Sequence, residues 1–149
     1  MTDQSAARPA PEPRNAYRAF VDMRTRWRDV DIYGHMNNAV YYEYFDTGVN
    51  QWLVEQGVLD PHRGAQVGLV VETGCVFFAE INFPARVTAG LRVARLGTSS
   101  VRYEIGLFAD DAADTSAKGH FVHVYVDKQT RRPAPLNADL RSALESIET

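Results

Sequence analysis

Between Val40 and Leu53, apolar side chains recur at three- and four-residue spacing (Val40, Tyr41, Tyr44, Phe45, then Val49, Trp52 and Leu53). The stripe is too broad for a helix lying on a protein surface, so the segment needs cover around much of its circumference. The pattern predicts a long helix wrapped by a sheet, with Gly48 allowing close approach to it. Asn37 or Asn38 can cap its first turn, and Gly57, after Gln56, stops it.

The cover is written in period two. Ala19, Val21, Met23, Thr25 and Trp27 alternate with polar positions before the helix, which reads as a half-buried strand. After a loop at Pro61 to Ala65, the odd positions from Val67 to Ile81 predict one long bent strand with Gly74 as its bulge or bend. Strands over Val87 to Leu96 and Ser99 to Phe108 turn at Gly97-Thr98, and a loop at Ala109 to Ser116 leads to a strand over Lys118 to Val126. That last strand carries Val122, Val124 and Val126 on one face and Phe121, His123 and Tyr125 on the other. A second face bearing aromatics needs cover, and further copies of the chain are the economical source of it. A short helix at Asn137 to Glu148, capped by Asn137, closes the chain. The order predicts an α+β fold: an antiparallel sheet of about five strands around one long central helix, with a short C-terminal helix.

At 149 residues the chain fits one domain, expected over 17–149, behind a flexible tail at 1–16 that is rich in Pro, Ala and Arg. A net charge of −3 offers no basic field for a nucleic acid. The one cysteine can form no intramolecular disulfide, and no apolar run reaches membrane-spanning length, so a cytoplasmic protein with no membrane partner is expected.

Chemistry concentrates where the first strand's alternation fails. Asp29, Asp31 and His35 fall in Trp27-Arg28-Asp29-Val30-Asp31-Ile32-Tyr33-Gly34-His35, just before the helix. Polar loops at such positions ordinarily serve capping and solvation. The alternative is a carboxylate facing helix N–H groups that polarise a substrate carbonyl. Cys75 reads as core filler, and His120 and His123 face opposite sides of a strand, which suits no shared metal.

The run from Trp27 to Asn38, followed by Tyr41, Tyr44 and Phe45, resembles the opening signature of the 4-hydroxybenzoyl-CoA thioesterase family, bacterial acyl-CoA thioesterases of the hotdog fold. Arg92 to Glu104 and Phe121 to Asp127 also resemble later strands of such proteins. The resemblance implies hydrolysis of an acyl-CoA thioester, with the family's active-site aspartate at Asp31 rather than Asp29 and its carbonyl-binding N–H near Asn38. His35 matches a histidine common among relatives, where it orients the loop or substrate or serves structure. Related plant acyl-ACP thioesterases have Asp, Asn and His at the positions of Asp31, Tyr33 and His35; Tyr33 lacks the amide's paired donor and acceptor, so that mechanism does not carry over whole.

Some relatives contact CoA phosphates through a basic cluster where this chain has Gly97-Thr98-Ser99, which leaves Ser99, Ser100 and Arg102, with Arg92 and Arg95 nearby, as candidates for holding the substrate. Tyr33, Tyr41 and Phe45, with Phe77 and Phe78, are candidates for shaping the acyl pocket. No cofactor is implied, since CoA is part of the substrate, and a homodimer or homotetramer is. Two other readings fit the same fold: an acyl-CoA or acyl-ACP binder without turnover, and a hydratase or dehydratase.

Overall fold

The computed structural model describes residues 7–149 and contains, in chain order, β1 (Ala19–Arg24), α1 (Val40–Glu55), β2 (Gln66–Phe77), β3 (Arg86–Leu96), β4 (Ser100–Ala109), β5 (Ala117–Asp127) and α2 (Ala138–Glu145). The five strands form one antiparallel sheet in the order β1-β3-β4-β5-β2. β1 and β2 are neighbours in sequence but occupy opposite edges, so the connection between them must cross the whole sheet. α1 makes that crossing, touching β1, β3, β5 and β2.

The strand alternation dictates what α1 meets. Val87, Ala89, Leu91 and Val93 of β3 and Val101, Tyr103, Ile105 and Leu107 of β4 are all fully buried on the helix side. Against them α1 buries Tyr41, Tyr44, Phe45, Gly48, Val49, Trp52 and Leu53, the stripe read from the sequence. Gly48 permits the close approach expected of it: a Cβ there would stand 3.3 Å from the Cβ of Ala89. The ring of Phe45 fills the space over Gly119, where no side chain would fit. Truncating such a residue costs about 3–5 kcal/mol, because the surrounding core collapses only in part. At the other end of the chain, the Asn137 side chain accepts the Leu140 N–H and caps α2, which buries Leu140 and Leu144.

Three expectations are corrected. Phe121, His123 and Tyr125 lie on the inner, helix-facing side of β5 and are buried, while Val122 and Val124 face out. The aromatic face is therefore covered within the chain, and it is the β2 edge that stays bare. The β2 irregularity falls at Val71, between Val70 and Glu72, and not at Gly74; Gly74 instead makes room for His120, whose Cε1 would be 2.5 Å from a Cβ at that position.

The tail is also shorter than 1–16. Glu12 exchanges backbone and side-chain hydrogen bonds with Thr115 and pairs with Arg92 and Lys118, while Arg14 caps Asp110 and Ala112 carbonyls and lies 4.7 Å above the Phe108 ring. Residues 12–17 are thus a strap over the outer face of the sheet, held by charges from strands about 80 residues or more away. Residues 1–6 lie outside those described.

Candidate active site

β1 ends in a 3-10 turn over Trp27–Asp29, and the chain then makes a tight hairpin. Asp31 N–H donates to the His35 carbonyl and Gly34 N–H donates to the Asp31 carbonyl, both at 3.1 Å, so Ile32, Tyr33 and Gly34 form the tip. The closing position is left-handed, with Gly34 at φ 85°, as a three-residue hairpin loop requires. The hairpin is stapled to the body by Met36, whose N–H donates to the Ile81 carbonyl at 2.7 Å and whose side chain is buried.

The two acids of this segment have different work. Asp29 is 1% exposed and accepts the Arg26 N–H at 2.8 Å, the Arg26 Nε–H at 3.0 Å and the Tyr44 hydroxyl at 2.5 Å. Burial opposes its ionisation, but the hydrogen bonds from Tyr44 and Arg26 outweigh it and hold the carboxyl below its ordinary range. An acid so fully engaged ties β1 to α1 and has no oxygen to offer a substrate. Asp31 is only half-buried. Its Oδ1 accepts the Tyr33 N–H at 2.8 Å and its Oδ2 accepts the Asn37 amide at 3.1 Å. One donor per oxygen fixes the carboxylate and leaves a lone pair on each oxygen free.

Asn37 joins this carboxylate to the start of α1. Its side-chain carbonyl accepts the Ala39 N–H at 2.9 Å and its main-chain carbonyl accepts that of Val40, also at 2.9 Å. Asn37, and not Asn38, is therefore the capping side chain. Within the described residues no acceptor takes the Asn38 N–H. Asn38 lines a cavity of about 270 Å³ with His35, Tyr41, Phe77 and Glu80 among its walls. Asp31 lines a separate cavity of about 350 Å³ with Trp27, Val30, Gly34 and Phe83, while the residue after Gly34, His35, lines the Asn38 cavity.

The other expected residues divide. His35 lies beside the Asn38 cavity with Nδ1 3.1 Å from the Met36 carbonyl and Nε2 3.8 Å from the Glu80 carboxylate. Tyr41 is buried in the wall, edge-on to Phe77 at 4.9 Å between centroids. Phe45 belongs to the core over Gly119 and lines neither cavity. Tyr33, 79% exposed, projects from the hairpin tip.

Ser99, Ser100 and Arg102 are not brought to Asp31 within the chain. Ser100 pairs with Val124 while the Phe77 end of the site pairs with Ala117, a separation of roughly 23 Å along β5 at about 3.3 Å per residue. Arg102 is paired with Glu72 at 3.0 Å, and Arg92 with Glu12 and Glu104.

Comparison with known proteins identifies the family and the fold. Residues 25–144 match the thioesterase-like superfamily. The chain belongs to that superfamily. This thioesterase-like protein is also similar to the PA5185 protein from Pseudomonas aeruginosa strain PAO1, at 46% identity and a TM-score of 0.91, covering 94% of this chain and 98% of that one. It is similar to PA2801 of Pseudomonas aeruginosa, a proposed thioesterase, at 28% identity and a TM-score of 0.78 over 86% and 98% of the two chains. Slr0204, a 1,4-dihydroxy-2-naphthoyl-CoA thioesterase from Synechocystis, shares the fold at 16% identity and a TM-score of 0.76, covering 84% of this chain and 93% of that one. No curated protein matches the sequence. The architecture of the thioesterase-like protein is the hotdog fold.

Two site residues of this thioesterase-like protein carry little sequence signal. Asn37 is one of two adjacent asparagines with equal claims to the cap. Glu80 comes to His35 only because the chain after β2 returns to pair Ile81 with Met36. Among the described residues no cluster of His, Cys, Asp and Glu is arranged to hold a metal ion, and no helix is long and apolar enough to cross a membrane.

Proposed function

We propose that this protein hydrolyses an acyl-CoA thioester to the free acid and CoA. The observation that carries this reading is the Asp31-Asn37-Asn38 arrangement. One asparagine holds a half-buried carboxylate and the helix start together, and the next residue's N–H is left without an acceptor at a cavity mouth. In the reaction the thioester carbonyl oxygen takes the Asn38 N–H, which, with the partial positive charge of the α1 N-terminus, stabilises the oxyanion. Asp31 either attacks the carbonyl carbon, expelling the CoA thiolate and leaving an acyl-aspartyl anhydride that water then hydrolyses to the free acid, or removes a proton from a water that attacks the carbon, after which the CoA thiolate leaves. His35 orients the loop and the substrate. The thiolate is a good leaving group, so no strong general acid is needed.

A binder without turnover has no use for a carboxylate fixed beside an unpaired N–H, which favours the hydrolytic reading. The test is a hydrolysis screen over short, medium, long and aryl acyl-CoAs with wild type and Asp31→Ala. Turnover in wild type with a loss of at least about 10³-fold in a folded variant is expected. A fully active Asp31→Ala, or no turnover of any thioester, overturns the assignment.

A homodimer or homotetramer is part of the proposal. β2 is a sheet edge of twelve residues, and Leu69, Val70, Val71, Val76 and Phe77 along it are 39–60% exposed. A long apolar edge in a soluble protein is a pairing surface, and a second copy meeting it about a two-fold axis extends the sheet in the antiparallel sense.

A further inference from the structure

The fixed charges that line the two cavities are of one sign. Glu80 lines the Asn38 cavity and Asp31 lines the other, and no lysine or arginine lines either. The remaining titratable groups in these walls are His35 and Tyr41. Burial above all raises the pKa of the Tyr41 hydroxyl, and the charge of Glu80 adds to the rise, so the hydroxyl is neutral near pH 7. A proton on His35 would be matched by Glu80 itself, whose Oε1 stands 3.8 Å from the ring Nε2. The N-terminus of α1 favours anions, but in the hydrolytic reading its Asn38 N–H is taken by the thioester carbonyl.

Glu80 is held where its charge matters. The carbonyl of the next residue, Ile81, accepts the Met36 N–H at 2.7 Å and docks this segment on the hairpin. A cavity of 270 Å³ is roughly 8 Å across, so whatever fills it stays within about a Debye length of a carboxylate in its wall. The Glu80 side chain is 68% exposed, which weakens its field without removing it. Like charges at that range change affinity by about tenfold at a half-exposed site. A carboxylate entering between the rings of Tyr41, Phe77 and Phe78 would also lose hydration with no cation to replace it.

We infer that this site selects acyl groups that carry no negative charge, and that Glu80 is the residue that enforces the selection. The substrates are then thioesters of monocarboxylic acids, aliphatic or aromatic, and the half-thioesters of dicarboxylic acids are turned away. Both cavities are lined by an acid and no fixed cation, so the exclusion holds whichever of them takes the acyl group. The inference rests on the hydrolytic reading for placing a thioester here.

The experiment compares three acyl groups of one length on the full-length protein. They are valeryl-CoA, glutaryl-CoA, in which the terminal methyl is a carboxylate, and glutaramoyl-CoA, in which it is the neutral amide. In wild type kcat/KM for glutaryl-CoA should fall at least about a hundredfold below valeryl-CoA, with glutaramoyl-CoA within about tenfold of it. Glu80→Gln should narrow the gap between glutaryl and glutaramoyl by about tenfold, and Glu80→Lys should narrow it further. The ratio of valeryl to glutaramoyl should not move, whereas a structural role for Glu80 would shift all three substrates alike. These ratios cancel any effect of the substitutions on CoA itself. Equal turnover of glutaryl and glutaramoyl in wild type overturns the inference, and so does a gap that neither Glu80 variant narrows. If no thioester is turned over, the hydrolytic reading fails, and calorimetric titration with S-pentyl-CoA and the thioether whose terminal methyl is a carboxylate decides the selectivity. Weaker binding of the charged thioether, relieved in Glu80→Gln, supports it, and equal affinities overturn it.

Discussion

The Asn37 amide donates to Asp31 Oδ2 at 3.1 Å, and the same side chain accepts the Ala39 N–H at 2.9 Å. One residue therefore sets the carboxylate against the helix start. Replacing it with alanine frees Asp31 on the Asn37 side and misplaces it relative to the carbonyl, which should lower kcat by about 10²-fold with KM little changed. Asn37→Asp keeps the capping acceptor but puts a second carboxylate beside the first, which disfavours the ionised form of Asp31. Its pH profile for kcat should rise at higher pH than that of wild type. A role confined to capping would leave the profile where it was.

Asp29 and Asp31 are two residues apart and should respond oppositely to truncation. Asp29→Ala leaves the Tyr44 hydroxyl and the Arg26 guanidinium without their shared acceptor inside the β1–α1 junction. The expected loss is about 3 kcal/mol of stability, read as a lower urea midpoint at an unchanged slope. Asp31→Ala removes contacts only within its loop and to the Asn37 amide, so its cost should stay near 1 kcal/mol while activity is lost. Reversed outcomes in the two measurements would mean that the chemistry belongs to Asp29.

The patterns that specify the fold are periodic and local, which is why α1, the five strands and the Asn137 cap are legible in the amino-acid sequence. Alternation separates two faces of a strand but does not say which is inside. Phe121, His123 and Tyr125 stand out as a set for that reason, yet the alternation alone does not show that they pack toward α1. The site is legible only in part for a related reason. Asp29 and Asp31 look alike in sequence, and what separates them is Tyr44, fifteen residues on, and Arg26 reaching across to Glu43. The docked strap is the extreme case, since Glu12 finds Arg92 and Lys118 through the folded sheet and nothing local announces it.

That strap makes stability depend on acid. Burial raises the Glu12 carboxyl, but hydrogen bonds and charge from Arg92 and Lys118 prevail and hold it at about 2, against an ordinary 4.5. A carboxyl whose folded pKa lies below its unfolded value contributes fully above about pH 4.5, and the contribution is lost as pH falls toward 2. Glu12→Gln should therefore be less stable than wild type by about 2 kcal/mol at pH 7, the scale of a charge-assisted hydrogen bond. Chemical denaturation from pH 7 to 2 should show the two proteins converging as pH falls through that window. A constant gap across the range would place the loss elsewhere than in ionisation.

The bare edge of the sheet gives the last test. Val71 sits at the β2 irregularity, is 60% exposed, and has apolar neighbours along the edge in Leu69 and Val70. If a second copy pairs there, Val71 is covered twice in the dimer, once from each protomer, and a charge at that position would have to be desolvated at both. Natural sheets use the same device, an edge lysine, to stay unpaired. Val71→Lys should then sediment as a monomer at concentrations where wild type is dimeric or tetrameric. Its thermal unfolding should also lose the dependence on protein concentration that an associating wild type must show. The substitution touches no residue of the β1–α1 junction or the Asp31 hairpin, so the monomer is expected to keep its fold. A Val71→Lys protein that stays associated would move the interface away from β2, and a wild type that is monomeric throughout would remove it.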